Sequence, residues 1–126
     1  EAVSLKIKNH LALSDITQGQ GDKNKVDVLI AAMNMAEALH IVNPQLGKEY
    51  APEIKSAQDA IYMMAKRGVA KGRFVFTGPE MQAMNTGMEV HDAQLEITTI
   101  GELEKAMKIV EKEIRARKAR PVLEKA

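Results

Sequence analysis

TIGELEKAMKIVEKEI, residues 99–114, decides the fold. Thr99 and Glu102 form a capping box: the threonine hydroxyl oxygen accepts from an orphan backbone N–H, and the glutamate reaches back to the cap. Behind it, Ile100, Leu103, Met107, Val110 and Ile114 recur in steps of three and four, which places all five on one face of a helix. Glu104 with Lys108, Glu111 with Arg115, and Glu113 with Arg117 are glutamate-first pairs four apart, the mark of a solvated opposite face. An upstream copy of the box, Thr77-Gly78-Pro79-Glu80, opens another helix with Met81, Met84, Met88, His91 and Leu95 on its inner seam.

Working outward, the same period continues. Residues 25–42 are apolar nearly all round, with a thin polar stripe through Asp27, Asn34 and Glu37, so this helix is expected at the centre of a bundle. Asp22 or Asn24 caps it and Asn43-Pro44 stops it. Ile54, Ala57, Ile61 and Met64 form the seam of a helix over residues 52–67, with Pro52 in its first turn and Gly68 at its C-terminal cap. Residues 2–17 read as a helix whose Val3, Ile7 and Leu11 recur every four, although Val3, Leu5 and Ile7 also alternate as a strand would. Residues 69–77 are expected to be an extended linker, and Arg120-Pro121 to end a last helix over residues 100–118. The expectation is an all-α, single-domain bundle of four to five helices with a central apolar helix and one extended linker.

The bulk numbers agree. The chain has 126 residues, 45% hydrophobic and 28% charged, enough for one core. No cysteine is present, which removes disulfides, zinc-thiolate sites and thiol nucleophiles and suits a reducing cytoplasm. No apolar run approaches the roughly 20 residues of a membrane helix. Glu1 in place of an initiator methionine implies that residues once preceded it. A net charge of +1 gives no global attraction to nucleic acid, and 3% aromatic residues leave little for base stacking. Eight methionines point to a soft aliphatic core.

Four constellations are worth weighing. His91-Asp92 has the residue types of an acid–base pair, but adjacent helical positions point about 100° apart, so a core histidine satisfied by a carbonyl or by a polar group such as Asn34 fits better. His10, His40 and His91 lie on three helices without the three- or four-residue spacing of a metal site, so no metal and no cofactor is expected. Phe74, Val75 and Phe76 form the one segment with strand-forming residues and no partner strand. Either phenylalanine could plug the core, or the segment could pair with a second copy or another protein. Lys66, Arg67, Lys71 and Arg73 crowd the linker, and Arg115, Arg117 and Lys118 crowd the last helix. If they converge, they would form a phosphate-binding surface.

Gly72-Arg73-Phe74-Val75, Glu80-Met81, His91-Asp92-Ala93-Gln94-Leu95, Thr99 and Arg115-Ala116-Arg117-Lys118 together resemble small helical proteins of unknown function carried by prophages and mobile elements of proteobacteria. The resemblance implies a bacterial cytoplasmic accessory protein and transfers no functional residue. The surplus of apolar helix faces leads to the expectation of a non-enzymatic, self-associating protein-interaction module. The alternative is a nucleic-acid-binding accessory protein using the two basic clusters.

Overall fold

The computed structural model describes residues 2–125, with side chains through Ala116. Five α-helices make up one domain: α1 (Ala2–Thr17), α2 (Lys23–Val42), α3 (Ala51–Lys71), α4 (Gly78–Ile97) and α5 (Ile100–Lys125), with a single 3-10 turn at Lys48–Tyr50 before α3. No strand occurs among the described residues.

Both capping boxes close. The Glu80 backbone N–H donates to Thr77 Oγ1 at 3.3 Å while the Thr77 N–H donates to Glu80 Oε1 at 2.9 Å, and the Thr99–Glu102 pair does the same at 3.1 and 2.9 Å. Asp22 caps α2 by accepting from the Lys25 N–H at 3.0 Å, which holds its carboxyl below the usual range.

The apolar helix α2 is central, touching all four others. Leu29, Met33, Ala36 and Leu39 along it are fully buried. Its first half joins α1, α3 and α4 around Leu13, Ile16, Ile61, Met64, Met84 and Met88. Its second half packs with Leu46, Leu95, Leu103, Ala106 and Val110. The tightest crossing is between α3 and α4 at Gly87: a Cβ there would stand 2.5 Å from Ala57 Cβ and 2.8 Å from Met33 Sδ, so only hydrogen fits.

The helix over residues 2–17 is present with one face chosen for the core, and two helix ends are corrected. The α1 helix buries Asn9, Ala12, Leu13 and Ile16 and turns Val3, Ile7 and Leu11 outward. The two rows lie on opposite sides of the helix, and the buried one also places Ala2 and Leu5 against the core. The α3 helix does not end at Gly68. It continues to Lys71 and is capped by Gly72 in the left-handed conformation (φ 78°), while Gly68 is buried because the Phe74 ring lies where its side chain would be. The α5 helix continues past Pro121, whose fixed φ suits a helix at the loss of one backbone hydrogen bond. Only part of its apolar face is used: Leu103, Ala106 and Val110 are buried, whereas Ile100, Met107 and Ile114 lie at its exposed edge.

Candidate interaction surface

The outer face of α1 carries a regular row of exposed apolar side chains. Val3, Ile7 and Leu11 are 68, 56 and 60% exposed, in line every four residues. No charged side chain interrupts the row, and small Ser4 and Ser14 flank it. On one rim, Lys6 Nζ is tied to Glu96 Oε1 at 3.2 Å and His10 Nε2 donates to Asp92 Oδ2 at 2.7 Å. Lys8, on the other rim, has no ion-pair partner among the described residues. Ile100, Met107 and Ile114 on α5 form a second row, spaced by sevens, with Glu104 and Glu111 beside it.

Phe74, Val75 and Phe76 lie in the 72–77 connection between α3 and α4. Both phenylalanines are half-buried against the first core cluster. Val75 is exposed, but its carbonyl accepts from Arg67 Nη2 at 2.8 Å. The two rings thus plug the core, the first of the two readings the sequence offered for this segment.

Among the linker cations, Arg67 is committed. Its guanidinium grips Glu80 through two bonds of 2.6 and 3.0 Å, lowering the carboxyl pKa of Glu80 and raising its own. One side chain thus ties the end of α3 to the linker and to the start of α4. Lys71 and Arg73 line a shallow recess of about 290 Å³ with Arg67, Val75, Phe76 and Thr77. Lys66 is exposed on α3, and Arg115 is exposed on α5 without lining that recess. The side chains of Arg117 and Lys118 lie outside the described residues.

His91 is 1% exposed. Its Nδ1 is 3.0 Å from Gln94 Oε1, and Gln94 Nε2 donates to the carbonyls of Ala36 at 2.9 Å and Leu46 at 2.8 Å. Burial is the main cause lowering the His91 pKa below its ordinary value, outweighing the pull of Gln94 and of the Asp92 charge. The histidine is satisfied by Gln94 rather than by Asn34, which bonds Gln58 instead. No group of three histidine or carboxylate side chains that could hold a metal exists among the described residues. No helix among them is long and apolar enough to cross a membrane.

Sequence reasoning gave no structural role to Asn9 or Gln94, the two polar side chains that share the core with His91. The available signal was a polar residue at a seam position, since Asn9 stands four from both Leu5 and Leu13, and Gln94 three from His91. No protein family, curated protein or solved structure matches this chain.

Proposed function

We propose that this protein is a non-enzymatic, cytoplasmic helical interaction module that self-associates through the outer face of α1. The exposed Val3-Ile7-Leu11 row carries the reading, because an uninterrupted apolar row opposite the core gains only by being covered. A second copy is a suitable cover. The row carries no charge, two of its rim groups are already paired, and a net charge of +1 opposes association little. The resemblance to mobile-element proteins supports an accessory role in such an element.

Full burial of a Val, Leu or Ile stabilises by about 1.5–3 kcal/mol. For side chains near 60% exposed, covering three on each copy gives roughly 8 kcal/mol for the pair. Lost freedom of motion offsets about 4 kcal/mol of this at the low end of its range. The net corresponds to a dimer with Kd near 1 mM, or tighter if the rims contribute.

Sedimentation equilibrium over a wide concentration range tests this. Wild type is expected to shift reversibly toward dimer, and Ile7→Glu with Leu11→Glu to remain monomeric with an unchanged far-UV spectrum. A wild type that stays monomeric at about 1 mM, or a double variant that dimerises equally, refutes the reading.

A further inference from the structure

A second feature is independent of self-association. Between α1 and α2, above α4, lies a cavity of about 90 Å³ walled by Leu5, Val28, Ala32 and Met35. Two polar side chains line it, Asn9 at 4% exposure and His91 at 1%. Exposed Lys8 and Ala31 also border it, which places an opening between the two helices.

Neither polar group is fully used. The Asn9 side chain makes no hydrogen bond to any described residue, and its amide is open to the cavity rather than sealed from solvent. His91 is fixed by its neighbour. Gln94 spends both amide hydrogens on the carbonyls of Ala36 and Leu46, so its Oε1 only accepts and the His91 proton resides on Nδ1. That leaves Nε2 as a bare lone pair with no donor among the described residues.

We infer that this cavity binds a small neutral molecule carrying a hydroxyl on a short hydrocarbon body. The hydroxyl donates to His91 Nε2 and accepts from the Asn9 amide, engaging at once the two polar groups that face the cavity. The hydrocarbon lies against Leu5, Val28 and Met35. The volume suits about four non-hydrogen atoms, or about three waters. Walls of this apolar character favour the hydrocarbon over the additional waters.

Titration with 1-propanol, followed by NMR of the Asn9 side-chain amide and the His91 ring nitrogens, tests the inference. Saturable shifts at both groups are expected. Asn9→Leu fills the space and should abolish them while keeping or raising Tm. Asn9→Ala keeps the space without the amide and should bind about tenfold more weakly. Non-saturating shifts in wild type, which would mean water alone occupies the cavity, overturn the inference. So does saturable binding that persists in Asn9→Leu, or undiminished affinity in Asn9→Ala. A strictly monomeric protein that binds the alcohol would uphold this site while refuting the role proposed for α1.

Discussion

Gly87→Ala should destabilise the bundle even though alanine is the better helix former. In an exposed helix the exchange would gain about 1 kcal/mol. Here the new methyl would sit 2.5 Å from Ala57 Cβ and 2.8 Å from Met33 Sδ, against ordinary carbon separations of about 3.5–4 Å. The methionine can swing away, but Ala57 cannot, because its Cβ is fixed to the α3 backbone. Helices α3 and α4 must therefore part by about 1 Å along their closest line, opening contacts around Met64, Met84 and Met88. Overpacking of this kind costs about 1–3 kcal/mol. Because the obstructing Ala57 Cβ is fixed to the backbone, the cost falls in the upper half of that range, about 2–3 kcal/mol, and after the propensity gain we expect a net loss of about 1–2 kcal/mol and a fall in Tm of roughly 3–8 °C for a chain of this size. The decisive assay is a double-mutant cycle by urea unfolding. Ala57→Gly removes the obstructing methyl at the cost of helix propensity, so the double variant should be more stable than the sum of the singles predicts, by at least about 1 kcal/mol. Strict additivity, or Gly87→Ala as stable as wild type, would refute the claim that the glycine exists for this crossing.

Two further outcomes follow from the polar contacts. Arg67→Met keeps the aliphatic stem but releases Glu80 and the Val75 carbonyl; a lower Tm and faster amide exchange in residues 72–77 are expected, and an unchanged exchange pattern would contradict the clamp. His91 is held below its ordinary pKa of 6.5 in the fold, so the unfolded chain takes up the proton first. Stability from this residue is complete above about pH 6.5 and falls as pH drops toward the folded value, by at most about 1.4 kcal/mol per unit. The stability difference between wild type and His91→Asn should shrink over that window, and a difference independent of pH would disprove the burial assignment.

Where the physics is local, the sequence was legible. The capping boxes at Thr77 and Thr99, the all-round apolar α2 and the seams of α3 and α4 depend on spacing and on side chains three or four residues apart. What was not legible depends on partners distant in the chain. Val3, Ile7 and Leu11 make as regular a row as Leu5, Ala12 and Ile16, and periodicity cannot say which one the core selects. Gly68 and Gly72 are both plausible helix ends, and only the return of Phe74 onto Gly68 distinguishes them. The same limit applies to the cavity: a seam-position asparagine signals a buried amide, but its empty hydrogen-bonding positions exist only where α1 meets α2 and α4.

The α1 helix is held to the bundle mainly by α2 and α4, and this links its two faces. Its inner face carries Asn9 and the cavity, and its rim is fastened to α4 by Lys6–Glu96 and His10–Asp92, surface pairs of a kind that contribute little. By mass action, anything that covers the outer row only when α1 is docked also stabilises docking. Self-association should therefore slow hydrogen exchange along Leu5–Ile16 as protein concentration rises through the dimerisation range, while amides of α3 and α4 near Ala57 and Met84 exchange at a constant rate. In Ile7→Glu with Leu11→Glu, α1 exchange should no longer depend on concentration. If wild-type α1 exchange is already independent of concentration, or if all helices slow together, the outer row is not coupled to assembly, and its exposure needs another explanation.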